Sequence, residues 1–127
     1  HSFVSAAFAS VLELELALLA SPICVVSPVG GELILKHGCR GCDIEVADHR
    51  LPFPFVVMPM KGFDVILGMD WLSSYRAVFD CYRQRVTVCT VRAGSVSISW
   101  GIGLVVCFHR CIIRESRVSL VVFLLAF

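Results

Sequence analysis

Cys39-Arg40-Gly41-Cys42 places two thiols three positions apart, and Cys107, His109 and Cys111 form a second cluster of soft ligands. Four such groups could hold a zinc ion tetrahedrally. The spacing Cys-Phe-His-Arg-Cys is not a usual zinc-ligand pattern, so thiols at a turn and a strand end are the simpler reading, and no metal or cofactor is expected. A thioredoxin-like redox role would need the paired cysteines to open a helix after a strand, whereas here they fall between two predicted strands. His37 and His49 sit at turns, where solvated side chains are the default. Glu13 and Glu15 lie two apart and read as a solvated face. No Ser-His-Asp arrangement can be argued from spacing. The remaining candidate is the continuous run Phe63-Asp64-Val65-Ile66-Leu67-Gly68-Met69-Asp70-Trp71-Leu72, an apolar strand that ends at a glycine and leads into a short helix.

The elements that must position these residues belong to one domain, since 127 residues suffice for one and not two. The composition is 57% hydrophobic and the mean hydropathy is +0.84, high for a soluble domain. The charge is uneven. Residues 1–90 hold nine acids against seven Lys or Arg, while residues 91–127 hold Glu115 against Arg92, Arg110, Arg114 and Arg117. Such asymmetry separates two parts of a chain, but four scattered arginines do not make a nucleic-acid surface. The seven cysteines, with no signal-like leader before them, read as mostly reduced core residues of an intracellular, cytoplasmic protein.

Short strands dominate the expected structure. A helix is predicted near 2–11 with Ser2 as its cap, from Ala and Leu content and apolar residues at Phe3, Ala7, Val11 and Leu14. Ile23–Val26 and Leu33–Leu35 read as the arms of a hairpin with its tip at Pro28 to Gly31. Asp43 to Ala47 alternates as a strand. Leu51 to Met60 reads as a strand interrupted by Pro52, Pro54 and Pro59, which suits an edge. After Phe63 to Leu67, a short helix is expected near 69–75, followed by strands at Ala77–Cys81 and Arg85–Cys89. Many short strands with turns every 8–12 residues imply an all-β fold with short helices. Beyond residue 91 the chain is an apolar, irregular tail. Within it, Ser95 to Ile113 is the best candidate for a membrane span, although Gly101, Gly103, His109 and Arg110 weaken it.

This order of elements resembles one subunit of a retropepsin-like aspartic protease, in the plant-type form found in gypsy-type LTR retrotransposon polyproteins. The resemblance rests on the Phe63 to Leu72 run, on His1-Ser2-Phe3, on Pro28-Val29-Gly30-Gly31-Glu32, on Cys39-Arg40-Gly41-Cys42, and on Tyr75-Arg76-Ala77-Val78-Phe79-Asp80-Cys81-Tyr82. It divides the chain into a retropepsin-like fragment, 1–91, and a tail, 92–127, with no clear family pattern.

The resemblance implies a partial acid-protease barrel. In that family a homodimer acts on polyprotein peptides, each subunit giving one Asp to a shared dyad. Two carboxylates that close hold one proton between them, so one acts as base toward water and the other as acid. It also implies that Val29, Gly30 and Gly31 form the tip of a flap over substrate, and that Ile66, Leu67 and Gly68 pass beneath the active-site loop and support it, with Gly68 allowing a sharp turn into the helix. In the family that loop, Asp-Ser-Gly-Ala-(Ser or Thr), comes directly before His-Ser-Phe. Here no Asp is followed by Ser-Gly or Thr-Gly, so the chain reads as truncated just after the loop. No catalytic residue is assigned and the fragment is expected to be inactive. Two readings follow. One is an inactive fragment of a retrotransposon aspartic endopeptidase. The alternative is a non-enzymatic β-domain for interaction or dimerisation, membrane-associated through residues 95–127.

Overall fold

The computed structural model describes residues 1–27, 30–46, 49–80, 82–83, 85–90, 94–99, 107–108 and 120–122. Among these, strands outnumber helices twelve to two, which agrees with the all-β expectation, and they form three separate sheets that close no barrel.

The chain opens not in a helix but in strand β1 (Phe3–Ser5). β1 runs between β6 (Phe55–Met58), to which it is parallel, and β7 (Val65–Leu67), to which it is antiparallel, with Phe3 opposite both Val56 and Ile66. A main chain with partners on both sides satisfies donors that a first helical turn would leave orphaned. Helix α1 therefore starts later, at Ala6–Val11, and its cap is Ser5, whose Oγ accepts from the Phe8 N–H at 3.0 Å. This corrects the expected helix over 2–11 and the role of Ser2.

β2 (Leu16–Val26) and β3 (Glu32–Cys39) form the predicted hairpin. Its tip is closed by Ser27 N–H to the Gly31 carbonyl and Gly30 N–H to the Ser27 carbonyl, both 3.0 Å. Gly30 and Gly31 have φ of 91° and 106°, a region that disfavours side chains. The register shifts between Leu18 and Ile23, where β2 carries extra residues including Pro22, which has no N–H to pair. β3 continues the sheet onto β6, so the strand order is β12 (Leu120–Val122), β7, β1, β6, β3, β2.

A second sheet holds β4 (Asp43–Val46), β5 (His49–Pro52) and β11 (Cys107–Phe108). The single proline-broken strand expected over 51–60 is thus two. β5, with Pro52, is an edge as anticipated, whereas β6 is interior, because its four residues contain no proline and can bond on both sides. A third sheet holds β8 (Val78–Asp80), β9 (Arg85–Thr90) and β10 (Gly94–Ser99). β10 pairs with β9 along its whole length, from Gly94 opposite Thr90 to Ser99 opposite Arg85. The stretch expected to be irregular therefore contributes strands, and its sequence here alternates serine with valine and isoleucine. Residues 95–99 of the proposed membrane span are strand, and no helix among the described residues is long and apolar enough to cross a membrane.

The core gathers Val4, Ile44, Leu51, Phe55, Val65, Trp71 and Val88. Helix α2 (Met69–Ser74) buries Trp71 and Leu72 against it. Just after α2, the Tyr75 ring lies 5.0 Å from that of Trp71, and its hydroxyl donates to the Pro52 carbonyl at 2.6 Å. Burial first, and the nearby Asp43 carboxylate second, push the Tyr75 phenol above its ordinary value. The folded state favours the neutral phenol, so this contribution is complete below the unfolded phenol's pKa near 10 and is lost as pH rises through the folded one. An ultraviolet titration of the folded chain should show a late-ionising phenol that disappears in Tyr75→Phe. A titration identical in both proteins would refute this.

One pair of cysteines departs from the expectation of mostly reduced thiols. Cys39 and Cys42 are joined as a disulfide, while Cys24 is exposed and free and Cys89 is half-buried and free. Among the described residues no group of three or more His, Cys, Asp or Glu could hold a metal ion. His109 and Cys111 of the zinc alternative lie outside the described residues.

Candidate functional site

β7 ends where the chain approaches its own first residues, and the side chains of Ser2 and Asp70 hold that junction. The Gly68 N–H donates to Ser2 Oγ at 2.9 Å. The Ser2 hydroxyl donates to Asp70 Oδ1 at 2.7 Å and the Ser2 N–H to Asp70 Oδ2 at 3.1 Å. The Trp71 N–H also donates to Asp70 Oδ1, at 2.8 Å. Ser2 is only 1% exposed, so its hydroxyl and N–H depend on these partners. One carboxylate thus accepts three hydrogen bonds and ties the start of β1 to the start of α2. Asp64 joins the same region through its main chain, its carbonyl accepting from the Ser5 N–H at 2.8 Å.

Gly68 is required here for a reason other than the sharp turn expected. Its φ and ψ are −91° and −178°, ordinary extended backbone. A Cβ on Gly68, however, would run into the carbonyl carbon and oxygen of His1. The glycine allows two main chains to touch.

Above this junction is a cleft of about 820 Å³. The hairpin tip contributes Gly30 and Gly31, and the β7–α2 junction contributes Ile66, Gly68 and Met69, with His1 beside them. Phe3, Val25, Leu33 and Met58 make its walls largely apolar, and Glu32 is the carboxylate among its lining residues. The two groups of residues singled out from sequence therefore face one space. Leu67 does not face it. The strand alternates, with Ile66 half-buried toward the cleft while Val65 and Leu67, at 0% and 3% exposed, pack into the core. Val29 lies outside the described residues. No aspartate among the described residues lines the cleft. An apolar groove under a glycine-tipped hairpin can receive an extended peptide, offering main-chain groups and side-chain pockets together.

The family model for retroviral aspartyl proteases matches residues 1–93, which hold both the cleft and the junction beneath it. The chain belongs to the retroviral aspartyl protease family. No curated protein and no solved structure matches it. In this protease-family chain the Ser2–Asp70 pair was not visible to sequence reasoning as a unit. The partners are 68 positions apart, and neither periodicity nor a local motif links them. The available signal was that Asp70 opens a helix and Ser2 stands before a strand, both positions where short polar side chains bind main-chain groups.

Proposed function

We propose that the chain is a retropepsin-like fragment of a gypsy-type, plant-type LTR retrotransposon polyprotein, and that by itself it does not cleave peptides. The observation that carries the reading is the cleft. Gly30 and Gly31 at a hairpin tip stand over Ile66 and Gly68, the residues that the family resemblance assigns to the flap and to the support of the active-site loop. His1 lines the same cleft and its carbonyl lies against Gly68, where on this reading the chain would leave the catalytic loop.

Aspartic proteolysis needs two carboxylates close enough to share a proton. None of Asp43, Asp48, Asp64, Asp70 or Asp80 is followed by Ser-Gly or Thr-Gly. Asp70 is engaged in holding Ser2 and Trp71 in place. In the family a homodimer acts on polyprotein peptide, and the apolar walls suit an extended peptide with large apolar side chains. Incubating the purified chain with such peptides at about pH 4–6, where a carboxylate dyad would hold one proton, should give no turnover. Cleavage blocked by a pepstatin-like inhibitor would overturn the proposal.

A further inference from the structure

Cys39 and Cys42 are the ends of two strands in different sheets. β3 belongs to the six-stranded sheet and β4 begins at Asp43 in the three-stranded one. The turn between them contains only Arg40 and Gly41. Gly41 takes φ of 73°, which reverses the chain and brings the two Cα atoms to 6.2 Å, within the span a disulfide bridges. Both cysteines are buried, at 2% and 4% exposed, whereas Arg40 and Gly41 over them are exposed.

The position of the pair gives it consequence. Cys39 stands opposite Leu16 on one side and Phe55 on the other, at the foot of the β2–β3 hairpin. The foot is closely packed. A Cβ on the neighbouring Gly38 would come within 2.8 Å of the Leu19 side chain and 3.1 Å of the Phe55 carbonyl oxygen. Cys42 is held in turn by its carbonyl, which accepts from the Phe53 N–H at 3.0 Å. At the other end of the same β3 strand, Glu32 and Leu33, with Gly31 just before them, line the cleft.

We infer that the Cys39–Cys42 pair is a reducible clamp on the foot of the β2–β3 hairpin, closed as a disulfide and opened by a dithiol reductant, and that its state sets how firmly the cleft-lining hairpin is held. In the opening step a thiolate of the reductant attacks one sulfur and forms a mixed disulfide. Its second thiol then displaces that sulfur. Two electrons and two protons pass to Cys39 and Cys42, which become thiols, and the reductant closes to its own cyclic disulfide. Local opening of the exposed Arg40–Gly41 turn gives the attacking thiolate its access. Reduction then leaves the two sheets joined at this point by main chain alone.

The test uses the full chain purified without reductant, denatured, and alkylated before and after dithiothreitol. Trypsin cuts after Arg40, inside the clamp. Fragments 37–40 and 41–50 should therefore travel as one linked species until reduction, then separate with one alkyl group each. Cys24, exposed and free, should be alkylated from the start. Folded oxidised chain should melt about 5–10 °C above folded reduced chain, as expected for a short closed loop. Amide exchange over residues 32–39 should quicken on reduction. In the Cys39→Ser/Cys42→Ser variant, dithiothreitol should shift neither quantity. If that variant does not fold, the comparison of oxidised and reduced native chain decides alone. Alkylation of Cys39 and Cys42 without reductant would overturn the inference, as would melting and exchange indifferent to reduction.

Discussion

Gly68→Ala should cost about 3 kcal/mol of folding stability, at the upper end of what added methyl groups do in packed sites. The reason is the identity of the obstacle. A Cβ at Gly68 meets the carbonyl carbon and oxygen of His1, which are main chain and cannot swing aside like the end of a side chain. Relief would require β1 to shift, and β1 is fixed on both sides, by Val56 and Ile66 opposite Phe3. It would also lengthen the hydrogen bond from Gly68 N–H to Ser2 Oγ, now 2.9 Å. Gly62 supplies the contrast. A Cβ there meets nothing within 4 Å, and its φ of 82° is the cost, so Gly62→Ala should lose only about 1 kcal/mol. Urea unfolding of both variants against the parent chain measures the difference. A Gly68→Ala midpoint equal to the parent's would show that the two main chains do not meet as described.

Asp70→Ala should be nearly as damaging, at about 2–3 kcal/mol, because it removes the acceptor for three donors at once. The loss is set by the donors more than by the carboxylate. Ser2 is 1% exposed, so its freed hydroxyl and N–H cannot simply turn to water. Asp70→Asn keeps one acceptor oxygen and should recover about half of the loss. Ser2→Ala removes both the donor to Asp70 and the acceptor for Gly68 N–H, so the two sites are coupled. A double-mutant cycle of Ser2→Ala and Asp70→Ala should give an interaction energy of about 1–2 kcal/mol. Strict additivity would mean that the hydrogen bonds between them contribute nothing to stability. Neither variant touches the hairpin tip. Amide exchange should therefore quicken at β1 and α2 before it does at residues 32–35.

These two positions connect stability to the functional proposal. In the family the catalytic loop precedes the residues matching His1-Ser2-Phe3, so on the proposed reading contacts to His1 and Ser2 would hold the end of that loop. A dyad works only if its carboxylates are held in place. On the proposed reading, the contact of Gly68 with His1 and the bonds from Ser2 to Asp70 would serve that purpose. The same contacts also join β1 to the Trp71 and Leu72 core.

The sequence by itself determined the elements whose signals are local. The Pro28 to Gly31 turn between β-branched arms named the hairpin, and Val65-Ile66-Leu67-Gly68 followed by Met69-Asp70-Trp71-Leu72 named a strand and a short helix. The same run, with its flanks, pointed to the protease family. It did not decide the opening helix, because Phe3 to Ser5 becomes a strand through neighbours more than fifty residues later. The prolines of Leu51 to Met60 showed irregularity but not which part would be interior. That depended on Pro54 falling between β5 and β6 and leaving Phe55–Met58 free to bond on both sides. The need for glycine at position 68 was legible, but its cause was not, since a close approach between residues 1 and 68 exists only once β1 lies beside β7. Cys39 and Cys42 were visible as a pair, yet whether they bond depended on a two-residue turn bringing their Cα atoms to 6.2 Å. Local chemistry is written along the chain. What the tertiary structure alone decided is which distant groups come within reach, because that follows from strand pairing and burial summed over the whole core.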